Sequence, residues 1–159
     1  ELLNFKREAA IMQKVGGHKH IARMYGFCTK PEICIVTEYY ANGSLYDILR
    51  KKSKNKGLST STKNGKKYGK HSNGKNTLST ELKIQMSIEA SLGIWHLHQQ
   101  QVIHRDISAR NLLVDENWTV VVADLGMSHL KTRKNGSFHV KSNVGPVKWM
   151  APESIIGHE

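Results

Sequence analysis

Three oxygen-bearing side chains stand at short intervals in the second half of the chain: Asp106, Asn111 and Asp124. Asp106 and Asn111 lie five residues apart in His104-Arg105-Asp106-Ile107-Ser108-Ala109-Arg110-Asn111. Asp124 opens Asp124-Leu125-Gly126, thirteen residues past Asn111, and Ala151-Pro152-Glu153 follows. A carboxylate can accept a proton or a hydrogen bond near neutral pH, which suits a general base. The amide oxygen of Asn and the carboxylate of Asp are hard donors, suited to a hard divalent cation.

These groups need elements that bring them together. Leu112-Leu113-Val114 and Thr119-Val120-Val121-Val122-Ala123 read as a strand pair around Asp115-Glu116-Asn117, which would hold Asn111 and Asp124 close. Upstream, Thr80-Glu81 opens a helix running to about Gln100, with Leu82, Met86, Ala90, Gly93 and Leu97 on one face. Residues 1–15 read as an amphipathic helix through Leu2, Phe5, Ala9, Met12 and Val15, ended by Gly16-Gly17. Residues 21–27 and 32–40 read as strands around Lys30-Pro31, and Ile33, Ile35 and Val36 suit a buried sheet. Asn42-Gly43 is a strong turn dipeptide, and Ser44 is an N-cap candidate for a short helix to Arg50.

The net charge of +11 suggests nucleic acid at first sight, but its distribution argues otherwise. Ten of the 24 Lys and Arg lie within residues 50–80, where there is no Asp or Glu. The rest of the chain carries fourteen basic and thirteen acidic residues and is nearly neutral. Residues 51–79 are rich in Lys, Ser, Asn, Gly and Thr, so they read as a disordered insert acting as a solvated spacer. A basic cluster of this kind could also meet anionic lipid headgroups. Without interleaved aromatic residues it is not a nucleic-acid platform. Cys28 and Cys34 flank the turn at Pro31 and could face each other across a hairpin; in a reducing compartment they are expected to be free, small core residues. His96 and His98 are two apart and do not form an i, i+4 metal pair. No apolar run is long enough to span a membrane.

The order His-Arg-Asp-x-x-x-x-Asn, Asp-x-Gly, Ala-Pro-Glu resembles the signature set of the eukaryotic protein kinases. The resemblance implies an α+β, two-lobed fold that this chain covers incompletely at both ends: the Gly-rich loop and the Lys-bearing strand are missing from it. Residues 1–41 would be a remnant of the small lobe and hinge. Residues 42–159 would be part of the large lobe, interrupted by the insert. The chain alone is then expected to be inactive. The implied reaction is phosphoryl transfer from ATP with Mg2+, on the cytosolic side of the membrane, to a protein substrate. Asp106 would accept the proton of the substrate hydroxyl, and Asn111 and Asp124 would bind Mg2+. Glu8, in Phe5-x-x-Glu8-Ala9-x-x-Met12, would pair with the phosphate-gripping Lys. Thr37 would sit at the back of the adenine pocket. Glu38 would offer a carbonyl to the adenine edge, Tyr40 an amide and a carbonyl. Leu113 would pack under the ring. His104 would be structural, stacking with Met12, Met24 and Leu125, where Leu replaces the usual Phe.

The acceptor is read from two places. Ser108 stands where serine/threonine kinases usually carry Lys, and Arg110 stands four residues past Asp106, as in tyrosine kinases. The run Gly145-Pro146-Val147-Lys148-Trp149-Met150 also resembles the tyrosine-kinase form. A protein tyrosine kinase is therefore expected; a Ser/Thr or dual-specificity kinase of the tyrosine-kinase-like group, or a catalytically dead scaffold, is the alternative. Residues 124–153 would be the activation segment. It holds no Tyr, so a phosphate paired with Arg105 would have to sit on Ser128, Thr132, Ser137 or Ser142. Lys131, Arg133, Lys134 and Lys141 make the segment basic.

Overall fold

The computed structural model describes residues 2–50, 62–63, 66–67, 78–130, 147–150, 152 and 155. The chain opens with helix α1 (Leu2–Val15), followed by the antiparallel hairpin β1 (Met24–Cys28) and β2 (Cys34–Thr37). A two-residue strand β3 (Gly43–Ser44) leads into the short helix α2 (Leu45–Arg50). Next come a small ladder, β4 (Thr62–Lys63) with β5 (Lys66–Lys67), and the long helix α3 (Thr80–Gln99). Strands β6 (Val102–Ile103), β7 (Leu112–Val114), β8 (Val120–Val122) and β9 (His129–Leu130) follow, with a 3-10 turn at Val147–Trp149.

Strand β8 is the centre of the packing. Its three valines are all buried, as a continuous apolar run predicts for a strand covered on both faces. Val122 joins Ile11, Met12 and Val15 of α1, Ile21, Leu97 of α3, Val102 and Leu125 in one apolar cluster. Val120 joins Leu82, Met86 and Ala90 of α3 with Val114 and Trp118 in a second. Val121 points the other way, to Ala22, Tyr40 and Ala123. Each fully buried aliphatic side chain contributes about 1.5–3 kcal/mol of transfer free energy.

Helix α3 starts where its sequence says it should. The Ser79 side chain accepts the Leu82 N–H at 3.2 Å, and Leu82, Met86, Ala90, Gly93 and Leu97 are all buried. Glu89 is buried on the same face: its carboxylate accepts the Val120 N–H at 2.8 Å and the Gln85 side-chain amide at 3.0 Å. Gly93 marks a close crossing, because a Cβ there would stand 2.4 Å from the His20 carbonyl oxygen. That carbonyl accepts the Val122 N–H at 3.0 Å, so α3, residue 20 and β8 are locked at one point.

Some expectations need correction. Ile33 and Val36 are 48% and 53% exposed, because the β1–β2 hairpin is two-stranded and its outer face meets solvent. Cys28 is half-buried and Cys34 exposed, so neither is a core residue. Ile11, absent from the expected face of α1, is among its most buried residues, whereas Leu2 is 43% exposed. The expectation of disorder over 51–79 falls mostly outside the described residues. Within it, Leu78 packs beside the Val120 cluster and Ser79 caps α3, so the ordered chain resumes before residue 80. Among the described residues no helix is long and apolar enough to cross a membrane.

Candidate active site

Two ladders carry the candidate groups to one end of the fold. Strands β7 and β8 pair in the register Leu112↔Val122, Leu113↔Val121 and Val114↔Val120. The next residues out are Asn111 and Ala123, and the Ala123 N–H donates to the Asn111 carbonyl at 2.8 Å. Strands β6 and β9 pair as Val102↔Leu130 and Ile103↔His129. The loop 104–111 and the loop 123–128 therefore leave adjacent strand ends. The β7–β8 connection is fixed by the Asp115 carboxylate, which accepts the N–H groups of Asn117 and Thr119 at 2.8 and 2.7 Å.

Inside the first loop, His104 is buried and holds both ends of a bridge. Its Nε2–H donates to the Ala123 carbonyl at 3.0 Å, and its Nδ1 accepts the Asp106 N–H at 3.2 Å. These partners require the neutral imidazole. Burial pushes its pKa down, against the opposing pull of the Ala123 carbonyl and the charges of Asp106 and Asp124. Asn111 Nδ2 donates to the Asp106 carbonyl at 2.9 Å and to its carboxylate at 2.8 Å. Committing Nδ2 this way leaves the amide oxygen as the remaining side-chain acceptor. Arg105 takes a left-handed backbone conformation, φ 72°, which turns the loop between His104 and Asp106.

The second loop places Asp124 in the left-handed region, φ 59°, with its side chain exposed. Glu8 of α1 comes to the same place: a Cβ on Gly126 would stand 3.3 Å from Asp124 Oδ1 and 3.5 Å from Glu8 Oε2. Burial, and then the charge of Asp124, raise the Glu8 carboxyl above its ordinary pKa. Two carboxylates brought together in this way favour a cation near them. Leu125 turns inward and is 2% exposed, in the cluster with Met12, against which Met24 packs. The substitution of Leu for Phe thus keeps an apolar anchor beneath Asp124.

Thr37 and Glu38 are exposed. Tyr40 is 8% exposed; its hydroxyl accepts the Arg23 N–H at 2.9 Å and lies 3.5 Å from the Glu38 carboxylate. The Tyr40 carbonyl is taken by the Gly43 N–H at 2.9 Å. The Glu38 carbonyl and the Tyr40 N–H hydrogen-bond to no described residue. Leu113 packs on the cluster of Ala22, Tyr40, Val121 and Ala123 beside them.

Several contacts at this end join residues far apart in the sequence. Tyr46 donates its N–H to the Ala109 carbonyl at 2.8 Å, and its ring lies 4.8 Å from the Arg110 guanidinium. Arg110 and then Arg50, both hydrogen-bonded to its hydroxyl, hold the phenol pKa below its ordinary value. Asn42 Nδ2 donates to the Asp115 carbonyl at 2.6 Å, tying the turn to the β7–β8 connection. Arg7 of α1 donates to the Ser128 carbonyl at 3.4 Å and to His129 Nδ1, which Arg105 also approaches at 3.5 Å. Ser128 is 3% exposed and donates to the Leu125 carbonyl at 2.5 Å, which removes it from the accessible hydroxyls. Lys131, Thr132, Arg133, Lys134, Ser137, Lys141, Ser142, Gly145, Pro146, Ala151 and Glu153 lie outside the described residues.

The donor chemistry fits magnesium with a phosphate ligand. Among the described residues no three His, Cys, Asp or Glu gather as a protein-only metal cage. An Asn amide oxygen not used by the Nδ2 hydrogen bonds and an exposed Asp carboxylate match a cation that takes few protein ligands and completes its shell with phosphate and water.

Comparison with known proteins agrees. The chain is 34% identical over 159 residues to the serine/threonine-protein kinase STY17 of Arabidopsis thaliana, an alignment covering 99% of this chain and 23% of the relative. It is 35% identical over 152 residues to the serine/threonine/tyrosine-protein kinase HT1 of the same plant, covering 95% and 33%. It is 33% identical over 156 residues to the mouse tyrosine-protein kinase ABL2 (Mus musculus), covering 98% and 11%. The chain thus spans a third or less of these relatives' lengths. A family model described as protein tyrosine and serine/threonine kinase matches residues 1–159, and with the loop order and the paired site strands described above, the chain belongs to that protein kinase family.

Proposed function

We propose that the protein carrying this chain transfers the γ-phosphoryl group of ATP to a protein hydroxyl, and that the hydroxyl is a tyrosine phenol. In this reading residues 1–41 belong to the small lobe and hinge and 42–159 to the large lobe. The observation that carries the transfer is the Asp106–Asn111 pair. The Asn111 amide holds the Asp106 carboxylate at 2.8 Å, fixing one oxygen and leaving the other to accept the substrate proton. Asn111 Oδ1 and the Asp124 carboxylate would hold Mg2+, which when bound supplies charge neutralisation to the phosphates. His104 keeps this loop in register with Ala123, one residue before Asp124. Glu8 orients the small-lobe Lys, the Glu38 carbonyl and Tyr40 N–H bind the adenine edge, and Leu113 packs beneath it. Thr37 borders that site. The reading puts the domain on the cytosolic side of the membrane, where ATP is supplied.

Tyrosine as acceptor rests on Arg110 and Ser108. Ser108 is 8% exposed and turned into the loop, so position 108 presents no cation to the acceptor. Arg110 is exposed at the loop's end, braced by Tyr46. The relatives' names divide between serine/threonine and tyrosine, so the acceptor is decided by experiment. The full-length protein is incubated with Mg2+, labelled ATP and matched peptides differing only in Tyr, Ser or Thr. Label on tyrosine alone is expected. Label on Ser or Thr alone overturns the acceptor assignment, and no label on any peptide overturns the transfer.

A further inference from the structure

We propose that Cys28 and Cys34 form a reversible dithiol–disulfide couple on the hairpin that leads into the segment 37–40. The two residues are direct cross-strand partners, the last pair of the β1–β2 ladder before its turn. Opposed residues in antiparallel pairs have Cα atoms about 4.5–5.5 Å apart. A disulfide needs about 4.4–6.8 Å, so the bond can close with little backbone movement. The side chains already face each other: the two Sγ atoms are 2.7 Å apart, and Cys28 Sγ also lies 3.2 Å from the Glu32 carbonyl. Cys28 is half-buried and Cys34 exposed, so a small oxidant reaches the pair. They are the only two cysteines of the chain, and nothing in the candidate active site uses them.

The oxidant is a low-molecular-weight disulfide of the glutathione class. One cysteine thiolate attacks a sulfur of the oxidant, a mixed disulfide forms and one glutathione leaves as its thiolate. The second cysteine thiolate then attacks the mixed disulfide, the Cys28–Cys34 bond forms and the second glutathione leaves. Two protein thiols are oxidised, one small disulfide is reduced to two thiols, and the protons lost by the cysteines end on glutathione. The neighbouring Cys34 thiol, ahead of burial, holds the Cys28 thiol above its ordinary pKa, so exchange quickens as pH rises. Closure ties β1 to the strand that runs into Thr37.

Glu32 lies between the two cysteines in sequence, which gives a direct test. The full-length protein is equilibrated at graded ratios of reduced to oxidised glutathione, quenched with acid, alkylated and cut after Glu without reduction. The peptides bearing Cys28 and Cys34 are expected joined, two hydrogens lighter than their sum, and separated again by dithiothreitol. Mixed glutathione adducts that accumulate on each cysteine without joining, or two thiols that stay alkylatable at every ratio, overturn the proposal. The mapping uses the unaltered protein, so the result does not depend on a variant folding.

Discussion

Replacing Gly93 with Ala tests how the fold holds the site. The added Cβ would stand 2.4 Å from the His20 carbonyl oxygen and 2.7 Å from Val122 Cγ2. The first contact is with backbone, so no rotamer change relieves it. Either α3 or residue 20 must move by several tenths of an ångström. That carbonyl also accepts the Val122 N–H, and Val122 lies two residues before Asp124. Overpacking of this kind costs about 1–3 kcal/mol, and weakening the hydrogen bond adds about 1 kcal/mol. The gain in helix propensity from Gly to Ala returns about 1 kcal/mol. The expected net loss is about 1–3 kcal/mol in urea unfolding of the full-length protein, with phosphoryl transfer falling as Asp124 is displaced. Gly26→Ala is the control: nothing lies within 4 Å of its added Cβ, and it should change stability by less than about 0.5 kcal/mol. If Gly93→Ala is as stable as the parent, the account of this crossing is wrong.

Glu89→Ala leaves the buried Val120 N–H without its acceptor and should destabilise by about 1–3 kcal/mol or more, whereas Glu89→Gln keeps an oxygen there and should lose less; equal losses would contradict the hydrogen-bond reading. His18, His104 and His129 each have their pKa pushed down, chiefly by burial. Their neutral-state stability is therefore complete above the ordinary value of 6.5 and lost as pH falls below it. His104→Gln should flatten the decline of unfolding free energy between pH 7 and about pH 5, and an unchanged slope would refute the assignment. Glu8 is pushed the opposite way, so its ionised carboxylate strains the fold at neutral pH. Glu8→Gln should therefore be at least as stable as the parent at pH 7 while transferring phosphate more slowly. The stability gap should close as pH falls through the raised pKa and vanish below the ordinary 4.5; a gap that widens in acid would count against it.

Local chemistry explains what could be read without coordinates. The spacing Leu82, Met86, Ala90, Gly93, Leu97 has one helical interpretation, whereas the Ser79 cap lies within the stretch expected to be disordered. The valine run at 120–122 between turn residues gives a buried strand, and its pairing with Leu112–Val114 follows from the short Asp115–Asn117 connection. Those two strands bring Asn111 and Asp124 to neighbouring strand ends, so their proximity is legible in the sequence. Contacts between residues far apart in sequence are not. Tyr46 meets Arg110 across 64 positions, and Arg7 reaches His129 across 122. Glu89 meets the Val120 N–H across 31 positions, and a polar helix side chain gives no sign that a distant N–H will satisfy it. Ile33 and Val36 were misjudged for a related reason: β-branching favours a strand but does not say which face is covered.

The measurement closest to the central claim is the rate of phosphoryl transfer by the Asp106→Asn form of the full-length protein, taken with its nucleotide affinity. Asn is isosteric and still offers an oxygen to the Asn111 amide, so the loop geometry of 2.8 and 2.9 Å is kept while the proton acceptor is lost. The account predicts unchanged nucleotide binding and a rate lower by about 10²–10⁴-fold. A variant that binds nucleotide normally and transfers phosphate at the parent's rate would contradict it.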